Sequence, residues 1–127
     1  YIFYSAVRGE TYVCPIAAGT FMPMMYIDDA VDAAVNLMTA DPAGLIHRNS
    51  FNVTAYSFDP EGIAAEIHRV IPDFSMRYEV DTLRQGIAES WPDSLDDTAA
   101  RSEWGWAPKV TLSDMTERMI AALRQRL

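Results

Sequence analysis

The sequence has little of several residue types on which common active sites depend. Its 127 residues include one lysine, one cysteine, two histidines and six glycines. Cys14 cannot form a disulfide within the chain, so a reducing, cytoplasmic location is favoured. With His47 and His68 as the only histidines, a Cys/His zinc site is disfavoured. We therefore expect no metal site.

The glycines are too far apart to form a phosphate-binding loop. Such loops need closely spaced glycines so that the backbone can approach the phosphates. Here the glycines are Gly9, Gly19, Gly44, Gly62, Gly86 and Gly105. Lys109 is the only lysine and Gly105 stands four positions before it, which excludes a Tyr-x-x-x-Lys pair within the chain. No G-x-S-x-G motif is present. We therefore expect neither catalytic nor cofactor-binding residues in these 127 residues.

Charge and hydropathy exclude two further classes of partner. The formal net charge is -8, with 18 acidic and 10 basic residues, which disfavours nucleic acid because its binding relies on Lys and Arg. No apolar run approaches the roughly 20 residues of a membrane span. The chain starts with Tyr1 rather than methionine, and no signal peptide is evident. Half of the residues are hydrophobic, enough for a core.

Strand patterns alternate with helix patterns along the chain, which indicates an α/β fold. We predict small mixed sheet segments with four to five helices. One predicted helix ends at Gly9, and the other four cover 28–42, 59–72, 94–105 and 111–127. The predicted strands cover 11–16, the end of 17–27, 50–58 and 75–80. Residues 81–90 fit a loop or a short helix. No linker or repeat divides the chain, so it forms one unit.

Apolar spacing predicts which helix faces turn inward. In helix 28–42 the predicted inward residues are Ala30, Val31, Ala34, Val35 and Met38, in helix 59–72 they are Ile63, Ile67, Val70 and Ile71, and in the last helix they are Leu112, Met115, Met119, Ile120 and Leu123. Asp59 is a predicted N-cap, with Pro60 at the first helical position.

Two acidic pairs stand where helices begin. For both Asp28–Asp29 and Asp96–Asp97 we favour helix capping over catalysis, because a free carboxylate accepts hydrogen bonds from first-turn N–H groups. Ser94 is an alternative cap for the second helix. His47 and His68 are interpreted as surface or boundary residues rather than catalytic bases.

The segment from Ser90 to Leu112 contains all three tryptophans and belongs to a more specific pattern. The motifs are FMPMMY at 21–26, NVTAYSF at 52–58, RQGIAESWP at 84–92 and DDTAARSEWGW at 96–106. Together they resemble the C-terminal part of the short-chain-type L-threonine 3-dehydrogenases, in the extended short-chain dehydrogenase/reductase (NAD-dependent epimerase/dehydratase) superfamily. The resemblance covers essentially the whole chain. Nucleotide-sugar epimerases share the general frame but usually lack the SWP motif.

This resemblance implies that residues 1–127 are a single substrate-side lobe from which the Rossmann half is absent. The family uses NAD to oxidise L-threonine to 2-amino-3-ketobutyrate, and its catalytic Tyr-Lys pair and glycine-rich loop belong to the N-terminal half. The chain alone is then inactive. Elements within 26–54 normally pack on the Rossmann sheet, so we expect exposed apolar surface and either a missing N-terminal half or a homo-oligomer.

The resemblance also suggests candidate pocket residues for a small amino acid substrate. Trp91, between Ser90 and Pro92, suits a pocket wall or lid. Arg84 either contacts the ligand or orients the lobe, and Met24 and Met25 either line the pocket or fill the core. Trp104 and Trp106 are expected to lock the short helix onto the lobe. Two alternatives stay open: a free-standing, non-catalytic oligomeric binding module, or the lobe of a nucleotide-sugar epimerase.

Overall fold

A computed structural model describes all residues from 1 to 127. The α-helices are α1 (Ile2–Arg8), α2 (Ile27–Thr39), α3 (Pro60–Val70), α4 (Thr82–Glu89), α5 (Thr98–Trp104) and α6 (Leu112–Arg124). The strands are β1 (Tyr12–Cys14), β2 (Met22–Met24), β3 (Tyr56–Phe58) and β4 (Met76–Tyr78), and a 3-10 turn covers Pro42–Gly44. The α/β class is confirmed. There are six α-helices rather than four to five, because the segment that fitted a loop or a helix forms α4. No helix is long and apolar enough to cross a membrane.

Local sequence signals explain several of the helix ends. The Asp59 carboxylate accepts a hydrogen bond from Gly62 N at 2.9 Å, and Pro60 opens α3, as predicted. Thr111 and Asp114 form a capping box at the start of α6. Helix α1 ends at Gly9, whose φ of 70° lies in the left-handed region that favours glycine.

The strands form two separate pairs. β1 and β4 are parallel, with Tyr12 opposite Met76, and β2 and β3 are antiparallel, with Met24 opposite Tyr56. The strand predicted over 50–58 is paired only at Tyr56–Phe58. Residues 51–54 form no ladder, because strand structure needs a neighbouring strand and this chain places none beside them.

Two small clusters form the core. One contains Ala6, Ile63, Ile67 and Phe74, and the other contains Ala33, Ala100 and Trp106. Ile63 and Ile67 are buried as predicted, whereas Val70 and Ile71 are half-buried. In α6 the residues Ile120 and Leu123 are buried with Thr116, while Leu112, Met115 and Met119 are half-buried.

Helix α2 contradicts most of the prediction of its inward face: Ala30 is half-buried, but Ala34 and the three larger residues are exposed. Val31, Val35 and Met38 are 55%, 51% and 85% exposed, and the buried residues of the helix are Asp29 and Ala33. The helix therefore packs through a face that carries a charge and a small residue. Its larger apolar side chains stay at the surface because nothing within residues 1–127 covers them. Apolar spacing shows that a face requires a partner, but it does not say whether the same chain segment supplies it.

Candidate functional site

Helix α4 carries Arg84 at its N-terminal turn. The Asp81 carboxylate accepts a hydrogen bond from Arg84 N at 2.9 Å and so caps the helix. The Arg84 guanidinium is exposed and makes no ion pair or hydrogen bond within the chain. Leu83 and Ile87 lie on the same outward side and are 73% and 54% exposed. Arg84 is therefore available to a ligand or to another part of a larger molecule.

Trp91 continues directly from the end of α4. Its backbone N–H donates to Ala88 O at 3.1 Å, and its side chain remains 48% exposed. Two residues later the Asp93 carbonyl accepts a hydrogen bond from the Ser57 hydroxyl. Ser57 lies opposite Pro23 in the β2–β3 pair. The hydrogen bond therefore holds the Trp91 segment to β3, the strand that pairs with β2.

The two methionines have different surroundings. Met24 is a half-buried residue at the end of β2, whereas Met25 packs against the core cluster of Ala33, Ala100 and Trp106. None of the three surface cavities of the chain is lined by Trp91, Arg84, Met24 or Met25. The structure thus links the Trp91 segment to the β2–β3 pair only through Ser57, and no closed pocket forms around Trp91 and Met24.

Trp106 fixes α5 to the segment before β3, as predicted. The side chain is buried, and its indole N–H contacts both Thr54 O at 3.2 Å and the Asp97 carboxylate at 3.1 Å. Asp97 also accepts a hydrogen bond from Arg101 at 2.7 Å, which together with the Arg101 charge and the Trp106 bond lowers the pKa of the Asp97 carboxyl. Trp104 packs edge-on against Phe51, and its buried Nε1 has no hydrogen-bond partner.

The acidic pair of α2 does not cap that helix, contrary to the prediction. Tyr26 is the N-cap residue and makes no side-chain cap. The buried Asp29 carboxylate instead accepts hydrogen bonds from Lys109 N and Val110 N, both at 3.0 Å. Asp28 is exposed and lies 3.7 Å from Arg118. Asp29 therefore joins the start of α2 to the segment before α6, a contact that sequence spacing cannot reveal because 80 residues separate the partners.

The second acidic pair has a divided role. Asp96 accepts hydrogen bonds from Thr98 N at 2.9 Å and from the Thr98 hydroxyl at 2.6 Å, as expected for a carboxylate at a helix start. Asp97 occupies the N-cap position without a side-chain cap bond, because it faces Arg101 and Trp106. All four carboxylates of the two pairs thus have structural contacts.

Both histidines are held by structural hydrogen bonds. The Glu103 carboxylate accepts from Ile46 N at 2.8 Å and from His47 N at 2.9 Å, and it also contacts the His47 ring. Burial raises the pKa of Glu103, but these hydrogen bonds outweigh that effect and leave it lowered. His68 Nδ1 lies 3.1 Å from Phe74 O. No group of three or more His, Cys, Asp or Glu side chains could hold a metal ion.

The known proteins that are similar to this chain are longer than the chain itself. No family model matches the chain. An uncharacterised epimerase/dehydratase of Staphylococcus aureus is 50% identical to the chain over 125 residues, which is 98% of this chain and 39% of that protein. The chain therefore spans about two fifths of the length of the curated relatives it matches.

The similar solved structures are also longer than this chain. The L-threonine dehydrogenase of Clostridium difficile matches 98% of this chain and 39% of its own, with 46% identity and a TM-score of 0.95. The apo GalE-like L-threonine dehydrogenase of Cupriavidus necator matches 96% of this chain and 44% of its own, with 45% identity and a TM-score of 0.90.

A UDP-glucuronic acid 4-epimerase of Bacillus cereus, solved with UDP-glucuronic acid and NAD, is similar in fold alone. It has 15% identity and a TM-score of 0.81, and the match spans 99% of this chain and 39% of that one. This likeness concerns the fold alone, whereas the identity to the two threonine dehydrogenases is 45% and 46%. In sequence and in fold, the chain is similar to the C-terminal part of the short-chain-type L-threonine 3-dehydrogenases of the extended short-chain dehydrogenase/reductase superfamily.

Proposed function

We propose that this chain is the substrate-side lobe of an NAD-dependent enzyme that oxidises L-threonine to 2-amino-3-ketobutyrate, and that it is inactive without an N-terminal half. The observation that carries the proposal is the contrast in identity. The chain is 44–46% identical to several L-threonine dehydrogenases but 15% identical to a nucleotide-sugar epimerase of the same fold.

The residues of this chain do not fit a dinucleotide. Three glycines, Gly9, Gly19 and Gly105, have positive φ, and they lie in separate turns rather than in one loop. The backbone therefore offers no cradle for a pyrophosphate. In the proposed enzyme NAD belongs to the N-terminal half, and the lobe contributes substrate contacts and shielding from water.

Trp91, Arg84 and Met24 are the proposed contacts on the substrate side. Trp91 offers a flat, half-exposed ring, and Arg84 offers an unpaired positive charge that suits the carboxylate of an amino acid. Met24 is half-buried in the neighbouring strand and would add an apolar wall. Met25 packs into the core, and its contribution is to support that wall.

The exposed apolar face of α2 supports the proposal that another part of the enzyme packs against this lobe. Ile27, Val31, Val35 and Met38 follow each other at spacings of four, four and three residues and are all at least half exposed. A soluble protein rarely leaves such a continuous apolar stripe open to water. We propose that the N-terminal half covers this stripe together with residues 51–54, which carry a strand pattern but lack a strand partner.

Supplying the missing half in trans tests the function. The part of the Cupriavidus necator enzyme that lies outside the matched region would be mixed with this chain, and threonine-dependent NADH formation would be followed. We expect activity from the mixture and none from either piece alone. A folded partner half that binds the chain but yields no NADH from threonine would refute the proposal.

The same α2 stripe gives the second candidate, a non-catalytic oligomeric binding module. In that case a second copy of the chain covers the stripe, and the chain self-associates without any N-terminal half. The epimerase alternative predicts something different: a UDP-sugar, rather than threonine, would raise the Tm of the mixture.

A further inference from the structure

Helix α4 has few apolar contacts to hold it on the molecule. Ala88 is its one buried residue, and Leu83, Arg84 and Ile87 are all exposed. A helix of 8 residues is too short to be stable by itself in water. Polar contacts must therefore fix the direction of α4, and Trp91 follows that direction because its backbone continues the last turn.

Gln85 supplies the side-chain contacts, beside one backbone hydrogen bond from Asp81 N to Pro15 O at 2.9 Å. Its side-chain oxygen accepts from Ala17 N at 2.8 Å, and its amide nitrogen donates to the Thr20 hydroxyl at 3.1 Å and to Glu89 at 2.7 Å. The acceptor and both amide hydrogens are thus in use. Two of the three bonds cross from α4 to the loop 15–21, which leads directly into β2 and Met24.

Helical geometry determines which residues of α4 face the molecule and which face outward. Gln85 and Ala88 are three residues apart and share the face that touches the molecule. Leu83 and Ile87 lie on the opposite face, and Trp91 follows four residues later. Because Gln85 holds one face of α4 against the loop 15–21, the other face, and Trp91 after it, stay exposed. The Ser57–Asp93 bond fixes the far side of the same segment.

We propose that Gln85 is a positioning residue, which sets the placement of Trp91 relative to β2 and thereby shapes the substrate pocket. The pocket itself rests on the proposed function, whereas the mechanical link between Gln85 and Trp91 does not. The role of Gln85 is to orient the helix that carries Trp91, and the glutamine itself does not touch substrate.

The first experiment uses the 127-residue chain alone. Gln85→Met keeps the length of the side chain and removes all three hydrogen bonds. Gln125→Met is the matched control, because Gln125 is exposed at the end of α6 and its side chain makes no hydrogen bond. Amide hydrogen exchange along α4 and nitrogen relaxation of the Trp91 indole would be measured by NMR.

We expect Gln85→Met to speed amide exchange in α4 by about ten- to thirtyfold, as the loss of two cross-segment hydrogen bonds predicts, and to increase motion of the Trp91 indole. Trp106 and the Gln125→Met control should not change. Unaltered α4 exchange and unaltered Trp91 motion in Gln85→Met would overturn the proposal.

The second experiment uses the chain reconstituted with an N-terminal half. There we expect Gln85→Met to raise KM for threonine about threefold or more, with kcat within about twofold, because a misplaced pocket wall weakens substrate binding. A looser α4 with unchanged KM would refute the role in the pocket. If no mixture oxidises threonine, the proposed function fails, and the NMR experiment alone decides whether Gln85 positions Trp91.

Discussion

At the scale of single residues, buried carboxylates connect distant segments of this chain. Asp29 is 1% exposed, and both of its carboxylate oxygens accept backbone hydrogen bonds, from Lys109 and Val110. A buried charge is tolerated when hydrogen bonds satisfy it. Asp97 makes a more local connection, because its partners Arg101 and Trp106 are four and nine residues away. Asp29 thus joins the start of α2 to the segment before α6, and Asp97 joins Trp106 to α5.

Asp29→Ala should destabilise the chain by about 2 to 4 kcal/mol, because it leaves two inward-facing backbone N–H groups without acceptors. Urea unfolding measures the change. The neighbouring Asp28→Ala is the control, since Asp28 is exposed and its ion pair with Arg118 is long, at 3.7 Å. The effect of this substitution on the free energy of unfolding should stay within about 0.5 kcal/mol. Equal effects of the two substitutions would contradict the role assigned to Asp29.

At the scale of elements, two glycines differ in their backbone geometry and therefore in their role. Gly105 ends α5 with φ of 74°, and Trp106 N then donates to Ala100 O at 3.2 Å. This turn aims Trp106 back into the core. Gly86 lies inside α4, has ordinary helical backbone and has open space where a Cβ would be placed.

The same substitution at these two sites should have opposite signs. Gly105→Ala is expected to destabilise the chain by about 1 to 2 kcal/mol, because a Cβ is strained in the left-handed region. Gly86→Ala is expected to stabilise it by about 0.5 to 1 kcal/mol, because alanine restricts the unfolded chain and favours helix. Thermal and urea unfolding of both variants provide the measurement. A stabilising Gly105→Ala would refute the turn as described.

At the scale of the whole molecule, the apolar face of α2 is the dominant surface feature. Met38 is 85% exposed, and Val31 and Val35 are about half exposed. We expect the isolated chain to self-associate at micromolar concentration through this face. Val35→Lys should weaken that association about tenfold or more, because it puts a charge where the associated form would bury the methyl groups of Val35.

Val80→Lys is the matched control for the association. Val80 is 48% exposed against 51% for Val35, but it follows β4 and is not part of α2. Analytical ultracentrifugation or light scattering would report the two variants beside the parent chain. A monomeric parent, or equal effects of the two lysines, would contradict self-association through α2.

The sequence by itself determined the α/β class, the N-cap of α3 and the end of α1, because these depend on neighbouring residues and on the periods of helix and strand. Its specific motifs also determined the resemblance to the threonine dehydrogenases. Only the tertiary structure decided the roles of Asp29, Gln85 and Glu103, because their long-range partners lie 80 to 81, 65 to 68 and 56 to 57 residues away. The outward α2 stripe likewise required the structure. Its apolar spacing called for a partner surface, and three-dimensional packing alone reveals that residues 1–127 do not provide one.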